Sequence, residues 1–169
     1  GEKYSGKSHL INIFLKKFKG IKLQSSKIQN EDINRIKIFE NIVLEDLNHD
    51  VDEKLIYTLF NIVDQDNKFI IVTSLIPIVD IDFSLKDLKS RSKNFLLQNI
   101  DKPDDDLMFA LLLKNLSDRQ IILDKKLIDY SIKRIERSYG KIFDFIYKID
   151  ELSLKKKKSI DLKIIKEVL

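Results

Sequence analysis

The chain has 169 residues, enough for one domain or one and a half. Its 31 basic side chains nearly balance 27 acidic ones for a net charge of +4, far from the concentrated basic footprint of a dedicated nucleic-acid binder. No cysteine occurs, which excludes disulfides, thiolate metal sites and cysteine nucleophiles.

The chain opens on "GEKYSGKSHL", a G-x-x-x-x-G-K-S phosphate-loop pattern. Gly1 and Gly6 permit a backbone path that turns successive N–H groups inward as an anion nest. Glu2, Lys3, Tyr4 and Ser5 supply the amides between them. Lys7 would reach the β- and γ-phosphates, and the Ser8 hydroxyl would hold Mg²⁺. The helix that begins there, at His9 and beyond, would aim its positive end at the phosphates. Along "SHLINIFLKKF" the spacing puts Leu10, Ile13, Phe14 and Phe18 on one face, with Lys16, Lys17 and Lys19 toward the C-terminal end. The pattern calls for a buried strand ahead of Gly1, so the first strand of the sheet is expected upstream of this chain.

Further along, "GIKLQ" is a short strand candidate, and "SSKIQNEDINRIKIF" reads as a loop with a helical turn. "FENIVLEDLNHD" has an apolar run, Ile42-Val43-Leu44, that stops at two acids. Such a run fits a buried parallel strand with carboxylates at its C-terminal end. "DVDEKLIYTLFNIVDQDNK" is helical by the spacing of Leu55, Ile56, Leu59, Phe60 and Val63, with acids at its start. "FIIVTS" is a second buried strand, "SLKDLKSRS" a short helix or turn, and "NFLLQNI" a further strand. The longest apolar stretch, "FIIVTSLIPIV", is too short and too interrupted to cross a membrane. A cytoplasmic location with no membrane partner is therefore expected. From Pro103 on, four segments carry helical spacing, each with Asp or Ser at its start. Two parts follow: an α/β part over residues 1–102 and an all-helical part over 103–169.

In open α/β sheets ligands sit outside the carboxyl ends of the strands. Glu45, Asp46, Thr73 and Ser74 should therefore gather beside the phosphate loop. His9 and His49 are isolated and no acids stand at ligand spacing, so zinc is not expected. The run Lys155 to Lys158 reads as a solvated linker between two helices.

Five motifs in order resemble the AAA+ family, in the branch of the replication initiator DnaA and its short regulatory homologue Hda. "GEKYSGKSHL" resembles Walker A, "IVLED" Walker B and "IIVTS" the sensor 1 strand. "DLKSRS" is similar to the box that carries an arginine finger, and "IKRIERSYGKIFDFI" to the sensor 2 region of a helical lid. "VLEDLNHDVDEKLIYTLFNIV", "LSDRQIILDKKLIDYSIKRIERS" and "IDLKIIKEVL" are most similar to the Hda type.

The resemblance implies an AAA+ parallel sheet flanked by helices, followed by a small helical lid. It implies ADP or ATP with Mg²⁺ as ligands. It assigns Glu45 and Asp46 to Mg²⁺ and the attacking water, although the acid-second-acid order is Glu then Asp rather than Asp first. It assigns Ser74, beside Thr73, to sensor 1, Arg91 to the finger, and Arg137 to sensor 2, with Arg134 one helical turn earlier. Arg occurs at only five positions, and its planar fork suits phosphate better than Lys does. The implied role is a regulator that drives hydrolysis of DnaA-bound ATP and has little ATPase activity of its own. Its partners are DnaA and the DNA polymerase sliding clamp, the latter contacted through a segment upstream of Gly1. A homo-oligomer is a further expected assembly, without sequence-specific DNA binding. The alternative is an autonomous DNA-acting AAA+ ATPase of initiator or helicase-loader type.

Overall fold

The structure is a computed structural model that describes residues 1–169. Its sheet is built around the apolar run found in the sequence. Strand β2 (Asn41–Leu47) lies between β1 (Gly20–Gln24) and β3 (Phe69–Ser74), and both pairings are parallel. Ile42, Val43 and Leu44 are fully buried, as a central parallel strand covered on both faces requires. Gly20 sits opposite Asn41, where an added Cβ would lie 2.5 Å from the Asn41 carbonyl oxygen. The close start of the β1–β2 ladder thus demands glycine.

β2 does not stop at its acids but runs through them to Leu47. Its pairing with β3 steps from Leu44↔Val72 to Leu47↔Ser74, so β2 carries one extra residue there. Asp46 absorbs it with φ +55, a left-handed conformation that Asp tolerates better than most residues. The Asp46 N–H donates to Thr73 Oγ1 at 3.1 Å, and Ser25 Oγ donates to the Asp46 carbonyl at 2.8 Å. The bulge leaves Asp46 exposed while Glu45 and Leu47 are buried.

Helix α1 (Lys7–Lys17) follows the loop, and α2 (Asn30–Ile36) lies between β1 and β2. The polar segment read as a loop with a helical turn holds this second helix, whose start is fixed by the Gln29 N–H donating to the Asp32 carboxylate at 3.1 Å. Helix α3 (Glu53–Gln65) starts at Asp52, whose carboxylate accepts from the Lys54 and Leu55 N–H groups. Its Ile56, Leu59, Phe60 and Val63 enter the core. Glu53 reaches forward to accept from the Ser84 and Leu85 N–H groups at 2.9 and 2.6 Å. It thereby anchors the start of α4 (Lys86–Ser92).

α1 buries Ile11, while Leu10, Ile13 and Phe18 are exposed and Phe14 is half-buried. Two expectations for this part need correction. β3 has β2 as its one paired neighbour in this chain, and Phe69 is 71% exposed rather than buried. "NFLLQNI", expected as a strand, joins no ladder in this chain, and Leu96 is 98% exposed.

The residues cluster into two units, Gly1 with Ser5–Ile100, and Glu2–Tyr4 with Asp101–Leu169. The second unit contains helices α5 (Asp105–Asp118), α6 (Lys125–Ile132), α7 (Tyr139–Lys156) and α8 (Leu162–Val168). Asp104, Asp124 and Asp161 accept hydrogen bonds from the first-turn N–H groups of α5, α6 and α8. Asp161 is held below the usual carboxylate range, first by the Ile164 N–H. Met108, Leu112 and Leu116 recur every fourth residue along α5 and meet Ile128, Ile142, Ile146 and Ile165 in a separate core. Arg119 pairs with Asp150 at 3.0 Å, linking the end of α5 to α7.

Leu44→Ala should destabilise the first unit by about 2–5 kcal/mol, through lost burial and the cavity left behind. Ile38→Ala removes an exposed side chain and should change stability by less than about 0.5 kcal/mol. Urea unfolding followed by circular dichroism checks the contrast, and equal effects would place Leu44 outside the core.

Candidate nucleotide-binding site

Gly6 takes φ +88 at the N-cap of α1, a conformation open to glycine at little cost. No side chain caps α1 and no acid stands in its first turn. A helix N-terminus of this kind carries partial positive charge and favours anions. The Lys7 ammonium folds back over the loop and donates to the Gly1 carbonyl at 2.5 Å. The Gly1 nitrogen donates to the Ser74 carbonyl at 3.3 Å, which ties the start of the loop to the end of β3. Gly1, Lys7, Thr73 and Ser74 are among the residues lining a groove of about 410 Å³ that is otherwise mostly apolar, with Ile70, Val72, Phe95 and Leu97.

The other loop residues are disposed differently. Ser5 is buried and its hydroxyl lacks a hydrogen-bond partner. Lys3, Ser8 and His9 are exposed. Tyr4 has φ +64 and packs its ring at 4.9 Å from Phe143. Glu2 accepts from Ser138 Oγ at 3.0 Å and from the Tyr139 N–H at 2.6 Å, so its carboxylate caps α7. The Tyr139 phenol is pushed above its usual range, first by burial and then by the Glu2 charge.

At the strand ends, Glu45 is buried and its Oε2 lies 2.7 Å from Lys22 Nζ. Its Oε1 is buried with no partner. Asp46 accepts from Gln24 Nε2 at 3.0 Å. The Ser74 hydroxyl turns to the Ile76 carbonyl rather than toward the loop. Toward a divalent cation bound with nucleotide the chain offers Glu45 Oε1, buried without a partner, the exposed Asp46 carboxylate and the exposed Ser8 hydroxyl, while Glu45 Oε2 is already paired with Lys22.

Arg91 lies on α4 and donates to Asp64 Oδ2 at 2.5 Å, with its guanidinium 5.5 Å from the Tyr57 ring centre. The bond to Asp64 chiefly raises its already high pKa, so the group stays charged. Arg137 pairs with Asp105 at 2.9 Å and is largely exposed. Arg134 stacks 3.6 Å from the Tyr130 ring centre and donates to the Tyr130 carbonyl. Neither Arg is on a helix. α6 ends at Ile132, and both residues lie in the connection to α7. The expected spacing of one helical turn does not hold, because the Arg134 and Ile135 N–H groups both turn back to the Ser131 carbonyl.

No family model matches the chain, and no curated protein matches its sequence. Solved structures do match. Domain III of the Thermotoga maritima replication initiation protein DnaA superposes with a TM-score of 0.78 at 16% identity, over 100% of this chain and 80% of that one. AMPPCP-bound DnaA from Aquifex aeolicus gives 0.67 at 21% identity, over 93% of this chain and 58% of that one. The chain has the AAA+ fold of DnaA domain III. The same AAA+ architecture extends to the Thermotoga maritima RuvB Holliday junction branch migration motor, with a TM-score of 0.70 at 14% identity, over 99% of this chain and 58% of that one.

Sequence reasoning missed Lys22, Gln24, Tyr57 and Asp64, each of which holds an expected site residue. Lys22 and Gln24 alternate with the buried Ile21 and Leu23 along β1. Knowledge of the β1–β2 register would have pointed them at Glu45 and Asp46; Tyr57 and Asp64 carried no comparable signal.

Proposed function

We propose that the chain is a nucleotide-binding AAA+ regulator of chromosome replication initiation, which binds ADP or ATP at Gly1–His9 and promotes hydrolysis of DnaA-bound ATP through Arg91. The observation that carries the reading is the loop itself: a left-handed Gly6 at the head of an uncapped helix, with Lys7 folded across it. The AAA+ fold shared with an AMPPCP-bound DnaA supports it.

In this reading the loop amides and the end of α1 bind the phosphates, and the Lys7 ammonium exchanges the Gly1 carbonyl for phosphate oxygens. Ser8 and the unpaired Glu45 oxygen would hold any Mg²⁺ that accompanies the nucleotide, and the ion would supply positive charge to the phosphate oxygens. Asp46 orients the water, and Ser74 contacts the nucleotide from the end of β3. Arg91 acts on a partner's γ-phosphate, releasing Asp64 for a phosphate that its fork also fits. The sliding clamp on DNA is the cofactor protein that brings regulator and DnaA together.

Weak intrinsic ATPase activity is expected, because the finger serves a neighbour and the first Walker B position holds a paired Glu. Steady-state turnover by the isolated protein should stay well below about one per second, and a faster rate would contradict the regulator reading. The decisive test measures DnaA–ATP hydrolysis with and without the full-length protein, in the presence of clamp-loaded DNA. Stimulation supports the regulator. A second reading, an autonomous DNA-acting ATPase, draws on the likeness to the RuvB branch migration motor. It requires DNA-stimulated hydrolysis by this protein without DnaA.

A further inference from the structure

Glu45 and Lys22 face each other across the β1–β2 ladder. Gln24 is in register with Glu45, and Lys22 stands two residues earlier on the same face, opposite Val43. The Lys22 side chain leans along the strand and brings its ammonium to 2.7 Å from Glu45 Oε2. The Glu45 side chain is 7% exposed and that of Lys22 40%. The carboxylate has thus lost nearly all its water, while the ammonium keeps part of its own.

A carboxylate at that depth requires a counter-charge, because burial of an unpaired charge is strongly unfavourable. The chain supplies that charge from its own neighbouring strand. A divalent cation approaching Glu45 meets one oxygen already committed and an ammonium of the same sign close by. The gain from binding the cation is reduced by both.

We propose that Lys22 is the built-in counter-cation of Glu45, so that nucleotide binding by this chain has little dependence on Mg²⁺. The inference rests on reading Gly1–Ser8 as the phosphate loop. Lys22 is a positioning residue: it acts through Glu45, and its effect is read in metal dependence rather than in nucleotide contact.

The experiment measures ADP affinity by calorimetry in Mg²⁺ and in EDTA for wild type and three variants. The wild-type ratio of affinities should be close to one. Lys22→Met leaves Glu45 without its partner, and the ratio should rise to about tenfold or more as Mg²⁺ takes over that role. Lys22→Arg keeps the charge and should keep the wild-type ratio. Lys22→Met combined with Glu45→Gln removes both charges and should also return the ratio to near one; thermal melts check that each variant is folded. A wild-type ratio above about tenfold overturns the proposal without recourse to any variant. So does a folded Lys22→Met protein whose ratio matches wild type. Absence of ADP binding by wild type in both buffers is a different outcome: it overturns the phosphate-loop reading, and this inference with it.

Discussion

Arg91→Ala should leave the protein's own ADP affinity within about twofold and lower its stimulation of DnaA–ATP hydrolysis by about 10³-fold or more, the loss expected of an arginine finger. The two halves of this expectation have separate physical origins. Nucleotide affinity is assigned to the loop amides, Lys7 and the start of α1, and Arg91 bonds to none of them. Its partners are Asp64 and Tyr57 on α3. Loss of the pair with the mostly exposed Asp64 should cost at most about 1 kcal/mol of stability, as for other solvent-screened ion pairs. The variant should therefore fold, and circular dichroism would verify it.

The hydrolysis effect is large because a guanidinium fork neutralises charge that develops only in the transition state. Arg91→Lys should recover little, since a point charge does not reproduce the bidentate geometry. Two assays decide the matter: ADP binding by the variant, and DnaA–ATP turnover in its presence. If ADP affinity collapses while stimulation of DnaA is retained, Arg91 serves its own site and the regulator mechanism is wrong.

Lys7→Ala should weaken ADP and ATP binding by about 10²-fold, the scale of losing a charge-assisted contact to phosphate. Lys7 is placed by backbone geometry: Gly6 turns the chain into α1, and Lys7 is the first residue of that helix. Its ammonium already lies across the loop at the Gly1 carbonyl. The substitution removes that closing bond as well as the phosphate contact, so loop order and affinity should fall together. A Lys7→Met control keeps the aliphatic stem and should bind as poorly as Lys7→Ala. Calorimetric affinities for either variant that equal wild type would sink the phosphate-loop assignment.

Much of the fold was legible because its signals are local. Asp52, Asp104, Asp124 and Asp161 stand where the helix starts were expected, and each caps its helix. The run Ile42-Val43-Leu44 announced the central strand by composition alone. The loop pattern placed Gly6 where a positive φ is needed and Lys7 at the helix start.

What the tertiary structure decided are relations between segments distant in sequence. Whether β3 is central or at the edge depends on which strands lie beside it, not on "FIIVTS". Ile11 rather than Leu10 or Phe18 is buried because packing selects one face of a helix that is apolar on more than one side. The left-handed Asp46 arises from an extra residue in a ladder whose register is set by both strands. The same holds for charge. Glu45 is 23 positions from Lys22, and Arg91 is 27 from Asp64. Periodicity and capping report on neighbours within a turn or two of chain, so they identified which residues carry charge. Only the packing of β1 on β2 and of α4 on α3 determined which charges meet.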